Sequence, residues 1–258
     1  GGARPVWNAD PNRVTRVLQG GAMEEKWVTN LWYLPLARHP RRYLDSMKLT
    51  ADMSFDALLE LAVENPDIEV EIARRFGANV AILVVDFSSM RRRMDAFGTV
   101  AALLSIRSAF KVYTPAISSR GGRIIKTVAD TLFAVFDEAS VALDAVLDGH
   151  VRMKTFNQSR PGCIDARIPN APIYPKAGLG FGFSLLVPEG NLYGPEVNHA
   201  FVLGEDVAEN GEILASDKFS AALGLPPSGV GVHSASHDRE QGSGFPFHIY
   251  TDYRLEDD

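Results

Sequence analysis

The chain has 258 residues, of which 46% are hydrophobic and 22% are charged, and its formal net charge is −6. This length suffices for one large domain or two small ones. The mild acidity argues against sequence-independent binding of nucleic acid, which needs a clustered basic surface. The single cysteine, Cys163, excludes an intrachain disulfide. The sequence has no run of eighteen apolar residues, so no transmembrane helix is predicted. We therefore expect a soluble intracellular protein, either cytoplasmic or within an organelle.

Residues 1–78 differ in composition from the rest and predict an N-terminal extension. Residues 1–22 are rich in Gly, Pro, Arg and Asn, as in an extended arm. Residues 24–46 mix aromatic side chains with Arg and Pro, which fits packing on the chain's own domain or docking to a larger protein assembly. Residues 54–76 predict two short helices that are broken at Asn65-Pro66, with Ser54 as the N-cap of the first.

From Asn79 onward the pattern alternates between strands and helices. The predicted elements are a buried strand at 80–86, a helix at 88–112, a hairpin of strands at 123–128 and 131–136, a helix at 138–153, a glycine-rich strand at 178–187, a helix at 195–209, and late strands at 211–215 and 247–255. The stretches 157–177 and 224–244 have loop composition. This order predicts an α+β domain over 79–258 with a ferredoxin-like βαββαβ core, in which helices pack on a mainly antiparallel sheet.

Two acids stand at strand ends. Asp86 ends the first strand and Asp130 lies in the hairpin turn after the strand at 123–128. We expect these two strands to be neighbours and to carry both carboxylates to one edge of the sheet. Two hard oxygen ligands side by side suit a pair of Mg²⁺ ions that hold a polyphosphate. Phe87 and Ser88 then lead into a helix N-terminus, whose exposed N–H groups favour phosphate oxygens. The alternative is that Asp86 caps that helix and Asp130 is a turn residue only.

Three segments carry a resemblance to a known family. They are VVDFSSM, GGRIIKTVADTLFAVF and NLYGPEVNHAFVLGED, the last continuing into DVAENGEILAS. In their order and spacing they resemble the signatures of class III adenylyl/guanylyl cyclase catalytic domains. The resemblance covers the chain from Asn79 onward and leaves residues 1–78 outside it.

The resemblance implies a reaction and roles for individual residues. Asp86 and Asp130 would hold two Mg²⁺ or Mn²⁺ ions, Lys126 would read the purine ring, and Asn198 would orient the ribose. The implied reaction converts a nucleoside triphosphate, with ATP expected, to the 3′,5′-cyclic monophosphate and pyrophosphate. In this family the pocket lies between two domains, which implies a homodimer or a heterodimer with an arginine-bearing cyclase domain.

The sequence departs from the family pattern at three positions. Asn191 stands where adenylyl cyclases keep a base-reading aspartate, and Ala129 replaces a glycine before the second metal-binding aspartate. Val202 stands four residues after Asn198, where the family carries an arginine that meets the phosphate. The spacing puts both on one helix face, with His199 off that face. Loss of such a cation costs about 10³–10⁵ in rate.

These departures keep three hypotheses open. The first is a dimeric, metal-dependent nucleotide cyclase, in which this chain is the metal-donating half of a heterodimer or one half of a homodimer of low activity. The second is a catalytically inactive cyclase-fold protein that serves as a structural or regulatory subunit. The third is a cyclase for another base, since Asn191 offers both a donor and an acceptor. His233 and His237 have metal-pair spacing in a segment that does not favour a helix, and Glu205-Asp206 has the character of a solvated acidic turn.

Overall fold

The computed structural model describes residues 53–87, 90–159, 172–188, 190–235 and 246–252. The chain divides into two compact units, one within Gly1–Ala78 and Leu185–Tyr193 and the other within Asn79–Ser184 and Gly194–Asp258. The predicted arm at 1–22 and the aromatic segment at 24–46 lie outside the described residues. Among the helices that the structure describes, none has the length and apolar character needed to cross a membrane.

In chain order the described elements are α1 (Phe55–Glu64), α2 (Ile68–Phe76), β1 (Gly77–Phe87), α3 (Met90–Phe97), α4 (Thr99–Ser118), β2 (Arg123–Val128), β3 (Thr131–Phe136), α5 (Ala139–Gln158), β4 (Pro175–Val187), β5 (Asn191–Tyr193), α6 (Pro195–Phe201), a π-helical turn (Val202–Val207), β6 (Ile213–Ser216), α7 (Asp217–Leu223), β7 (Val230–Ala235) and β8 (Phe247–Asp252).

The first unit consists of the helix pair α1–α2 and the hairpin of β5 with the end of β4. The Ser54 hydroxyl accepts a hydrogen bond from the Ala57 N–H at 3.2 Å, which confirms the predicted N-cap. The two helices are separated at Asn65-Pro66 as predicted. Their buried side chains form one apolar cluster with residues of β4: Phe55, Leu58, Ile68, Ile72 and Val187.

The second unit is built on a sheet with the strand order β2-β3-β1-β4-β6-β8-β7. Its first four strands have the order of a ferredoxin-like fold, with β3 between β1 and β2 and β1 between β3 and β4. The β1–β3, β2–β3, β6–β8 and β7–β8 pairs are antiparallel, and the β4–β6 pair is parallel. The predicted α+β class and mainly antiparallel sheet are confirmed.

The core of this unit lies between the sheet and two long helices. The central residues of β1, 80–85, and all of β3 are buried, which explains their continuous apolar sequences. Helices α4 and α5 pack closely because α5 has Gly149 at the contact, where a Cβ would come within 2.3 Å of the Tyr113 ring. The Tyr113 hydroxyl donates to the Val146 carbonyl at 3.2 Å, so this fully buried aromatic side chain keeps its polar atom satisfied.

Several predicted boundaries were wrong. The helix predicted over 88–112 is two helices, because Gly98 adopts φ +84° between them, and α4 continues to Ser118. The predicted loop at 224–244 contains β7, whose sequence has only two strongly apolar residues and which is held by antiparallel pairing with β8. The short elements β5 and α7 were not predicted. The predicted loop at 157–177 is shorter, since α5 ends at Gln158 and β4 begins at Pro175.

Candidate active site

The pairing of β1 with β3 places the two predicted metal-binding acids together. In the register of these strands Asp86 lies opposite Thr131, the residue after Asp130. The Phe87 N–H donates to the Asp130 carbonyl at 3.0 Å, so the end of β1 is joined to the hairpin turn. The expectation that β1 and β2 are neighbours was wrong, because β3 lies between them. The acids still meet, since the turn belongs to the end of β3 beside Asp86.

The turn that carries Asp130 is strained at Ala129, which has φ +51°. This left-handed conformation favours glycine, and a non-glycine residue there costs of order 1–3 kcal/mol. The family resemblance has glycine at this position, so the backbone keeps the expected conformation although the residue has changed.

The Asp86 carboxylate is mostly buried and is paired with Lys176. The Lys176 Nζ lies 2.7 Å from Asp86 Oδ2, and both side chains are about one-seventh exposed (13% and 14%). Burial raises the pKa of the Asp86 carboxyl, and the nearby charges of Asp130 and Glu205 act in the same direction. The hydrogen bond and charge of Lys176 oppose that shift. Asp86 is thus a carboxylate that is costly to ionise and that benefits from a nearby cation.

Lys176 and Glu205 are two members of the site that the sequence analysis missed. The Lys176 ammonium also donates to the Glu205 carbonyl oxygen at 2.8 Å. The Glu205 side chain accepts from the Thr131 hydroxyl at 2.9 Å, next to Asp130. Glu205 and Asp206 are exposed, as expected of a solvated acidic turn, and the π-helical turn also brings the Glu205 carboxylate to the hairpin. Lys176 was missed because it fell in a predicted loop, and because no local pattern indicates its contact with the distant Asp86.

Helix α6, which carries Asn198, lies directly on the glycine-rich strand β4. A Cβ on Gly178 would come within 2.1 Å of the Ala200 carbonyl oxygen, and one on Gly180 within 2.5 Å of the Glu196 carbonyl oxygen. Glycine at alternate positions of β4 therefore gives the helix a flat face to lie on. This close approach fixes the distance between Asn198 and the strands that hold the acids.

A buried carboxylate anchors the same helix. Glu196 is 2% exposed, and its Oε2 accepts from the Ser216 hydroxyl at 2.5 Å. Its Oε1 lies 3.1 Å from His199 Nδ1 and 3.4 Å from Lys218 Nζ. These contacts join α6 to the start of α7 and satisfy the carboxylate, as a buried acid requires. His199 is thereby engaged with Glu196, in keeping with its predicted position off the Asn198 face.

The two residues predicted to face the pocket, Asn198 in α6 and Val202 at the start of the π-helical turn, lie in different environments. Asn198 is exposed. Val202 is half-buried and packs against an apolar cluster that includes Leu203, Leu214 and Phe247. A valine here stabilises the fold by apolar contact and offers no charge to a phosphate. The departure seen in the sequence is therefore accommodated by local packing.

The remaining predicted site residues lie in four settings. Lys126 lies on the exposed edge strand β2, four residues before Asp130. Phe87 is fully buried with its ring edge-on to Tyr113, so its side chain contributes to the core. Ser88 lies outside the described residues. Asn191 belongs to the first unit, where it pairs with Val187 and lines a cavity.

The donor atoms at the strand edge suit a divalent ion that is shared with a substrate. Among the described residues, no group of three or more His, Cys, Asp or Glu side chains is placed to hold a metal. Mg²⁺ keeps several waters and takes one or two carboxylates together with substrate phosphates, so it needs no larger protein cage. The Asp86–Asp130 pair, with hard oxygen donors on one edge, fits that requirement. His233 lies on β7, and its proposed partner His237 lies outside the described residues.

The chain resembles known proteins in its fold rather than in its sequence. No family model matches the chain, and no curated protein matches it in sequence. Among solved structures, an adenylate/guanylate cyclase/hydrolase from Silicibacter pomeroyi is 24% identical, with a TM-score of 0.55 over 67% of this chain and 95% of that one.

Two further structures agree with that match. The adenylyl cyclase CyaB from P. aeruginosa is 18% identical, with a TM-score of 0.55 over 67% of this chain and 93% of that one. The guanylate cyclase domain of RhGC from Catenaria anguillulae, solved with GTP, is 17% identical, with a TM-score of 0.54 over 67% and 96%. The resemblance read from the sequence is confirmed by these folds: the chain has the fold of class III adenylyl/guanylyl cyclase catalytic domains.

Proposed function

We propose that this chain is a nucleotide cyclase domain that binds two divalent metal ions through Asp86 and Asp130. It would convert a nucleoside triphosphate, with ATP expected, to the 3′,5′-cyclic monophosphate and pyrophosphate. The observation that carries the proposal is the meeting of Asp86 with the Asp130 turn at one edge of a cyclase-type sheet. The pKa of Asp86 is raised, mainly by burial. Such a shift is typical of a residue in a ligand-binding or catalytic site rather than of one that stabilises the fold.

The chain's own residues take distinct roles in this proposal. Asp86 and Asp130 hold the metal ions and so fix the triphosphate at the sheet edge. When bound, Mg²⁺ or Mn²⁺ supplies positive charge to the triphosphate and makes the ribose 3′-hydroxyl more acidic. Asn198 orients the ribose and Lys126 contacts the base. Catalysis would come mainly from positioning and electrostatics, as in other phosphoryl transfers.

Lys176 adds a positive charge at the edge that the acids occupy. Its ammonium is fixed by Asp86 and by the Glu205 carbonyl oxygen. In the proposal the Lys176 ammonium contacts the triphosphate and provides a positive charge, which Val202 cannot provide. The base is left open, because Asn191 can both donate and accept a hydrogen bond.

The proposal includes a dimer. Lys126 lies on an edge strand whose residues are exposed at five of six positions, which leaves room for a second domain to approach. By analogy with the family, one domain gives the metal-binding acids and its partner gives the base-reading lysine. The partner is a second copy of this chain or a domain that brings the missing arginine.

A second candidate is a cyclase-fold protein without turnover, kept as a regulatory or structural subunit. The packing of Val202 in an apolar cluster favours it, because nothing at that position can meet a phosphate. Such a protein would still fold and could still bind nucleotide. The two candidates differ in product formation.

The test is turnover of ATP, GTP, CTP and UTP by the purified full chain with Mn²⁺. Asp86→Ala and Lys126→Ala should each abolish cyclic nucleotide formation. Mixing the two inactive variants should restore about a quarter of wild-type turnover, because half the dimers are mixed and each has one intact site of two. The base that is turned over fastest identifies the substrate.

The control is Asp144→Ala, which removes an exposed carboxylate on α5 and should leave turnover unchanged. Product formation that survives Asp86→Ala would overturn the metal-binding role. Turnover by wild type without recovery in the mixture would overturn the shared site. The absence of product from all four nucleotides would favour the second candidate.

A further inference from the structure

The first unit carries an apolar cavity. Its lining includes Asn191, but its other lining residues have no role in the proposed cyclase chemistry. Its volume is about 460 Å³, and it is lined by side chains of α1 and of the β4–β5 hairpin. Phe55 and Val187 form its buried wall, while Leu59 and Tyr193 stand at its rim, 43% and 54% exposed. A cavity of this size with aromatic and aliphatic walls is large enough to take one or two large side chains.

One lining residue of the cavity, Asp56, begins a row of acidic side chains that continues along α1 away from the cavity. Helix α1 carries Asp56, Glu60 and Glu64 at four-residue spacing, so the three carboxylates form one exposed stripe beside Leu59. The helix has no basic residue, and no ion pair joins these three acids to another residue in the described part of the chain. On α2, by contrast, Glu71 is paired with Arg74 and Arg75. The surface thus combines an apolar centre with a negative edge.

The chain itself contains a segment of the complementary chemistry. Residues 26–44 include Trp27, Trp32 and Tyr33, four basic residues and no acidic residue. This segment lies before α1 in the sequence, and the chain from residue 44 to residue 55 can span up to roughly 36 Å when extended. The tether makes docking intramolecular, which gives an effective concentration of the order of millimolar for a short linker.

We propose that residues 26–44 dock on this surface, with a tryptophan side chain in the cavity and the arginines against the acidic stripe of α1. Aromatic anchors that fill an apolar pocket contribute most of the energy of such contacts, and peripheral charges fix their orientation. The N-terminal extension would then be held on its own helix pair rather than presented to another protein. The inference concerns the first unit alone and does not depend on cyclase activity.

The sequence provides a built-in reporter, since all three tryptophans lie in residues 1–52: Trp7, Trp27 and Trp32. In the full chain with Trp7→Phe, emission comes from Trp27 and Trp32 only. We expect blue-shifted emission and weak quenching by acrylamide. Leu59→Lys places a charge at the cavity rim, and should shift the emission to the red and raise the quenching constant about twofold, as a buried aromatic anchor becomes exposed.

Matched variants separate docking from general damage. Leu103→Lys changes a leucine of similar exposure, 51%, on α4 and should leave the emission unchanged. The double variant Asp56→Lys, Glu60→Lys reverses the stripe at exposed positions and should also raise quenching, most strongly at low salt, where surface charges are least screened. Far-UV circular dichroism checks that each variant is folded.

Three outcomes would overturn the proposal. Emission and quenching typical of free tryptophan in the purified chain would mean that the segment does not dock, or that it needs a separate partner. Protection that disappears on dilution would mean that a second copy fills the cavity. Protection that survives both Leu59→Lys and the charge reversal would place the tryptophans elsewhere.

Discussion

Asp86 has to meet two opposing requirements. Its carboxylate lies at a sheet edge where it can hold a cation, yet burial and the charges of Asp130 and Glu205 make its ionised form costly. Lys176, at 2.7 Å, offsets part of that cost. Both acids were predicted from their places at strand ends. Lys176 was not, because its contact with Asp86 depends on the pairing of distant segments.

The raised pKa of Asp86 predicts a pH dependence of stability. Below the ordinary carboxyl pKa of about 3.9 the folded and unfolded states are both protonated, so Asp86 has no effect. As the pH rises through the window up to the raised folded pKa, the unfolded state loses its proton first, and the free energy of unfolding falls. Asp86→Asn should lack this decrease, so its free energy of unfolding should increase relative to that of wild type as the pH rises. Urea unfolding at a series of pH values measures the difference.

Lys176→Met provides the check on this explanation. It removes the ammonium that opposes the shift, so the decrease in stability with pH should become steeper than in wild type. If the free energy of unfolding had the same pH dependence in wild type and in Asp86→Asn, the pKa of the Asp86 carboxyl would not be raised in the folded state.

Val202 is the position at which the proposed cyclase lacks the cation that the family resemblance implies. A transition-state cation at such a position is worth about 10³–10⁵ in rate. Because Val202 is only half-buried, an arginine there can keep its stem in the apolar cluster and extend its head to solvent. Val202→Arg should raise cyclic nucleotide formation about a hundredfold or more over wild type.

The matched control for that prediction is Val202→Met, which lengthens the side chain without adding charge. It should leave turnover near the wild-type value. If a folded Val202→Arg variant is no faster than Val202→Met, the missing cation is not what limits this chain.

Two elements position the residues of the candidate site: the glycine-rich strand β4, and helix α6, which continues into the π-helical turn. Alternate glycines let α6 lie on β4 with backbone atoms in contact, and the π-helical turn that follows brings Glu205 to the hairpin. Sequence periodicity located the strand and the helix. It did not reveal the change at Val202, because a π-helical turn has no distinct apolar pattern.

The contact between β4 and α6 predicts a graded response to added methyl groups. Gly180→Ala places a Cβ at 2.5 Å from a backbone oxygen that cannot move freely, and should lower the free energy of unfolding by about 1–3 kcal/mol. Gly182→Ala meets the Glu196 side chain at 3.0 Å and should cost less. Urea unfolding measures both, and equal stability of Gly180→Ala and wild type would contradict the packing described for α6.

For the whole molecule, the sequence predicted the fold far better than the site. The β2–β3 hairpin was predicted with its observed boundaries, because two apolar runs flank a tight turn. Strand β7 was missed because pairing with β8, rather than its own composition, holds it. The acids of the site were predicted from local position. Lys176 and Glu205 join it only through long-range contacts that no local pattern encodes.

Divalent metal binding by Asp86 and Asp130 is the central feature of the proposed site, whether or not turnover follows. We would titrate the full chain with Mn²⁺ in the presence of a non-cyclisable ATP analogue, and follow free Mn²⁺ by electron paramagnetic resonance. We expect nucleotide-dependent binding of about two ions per site. Asp86→Asn and Asp130→Asn should each abolish it, and Asp144→Asn should not. Binding that is equal in wild type and both site variants would contradict the central claim.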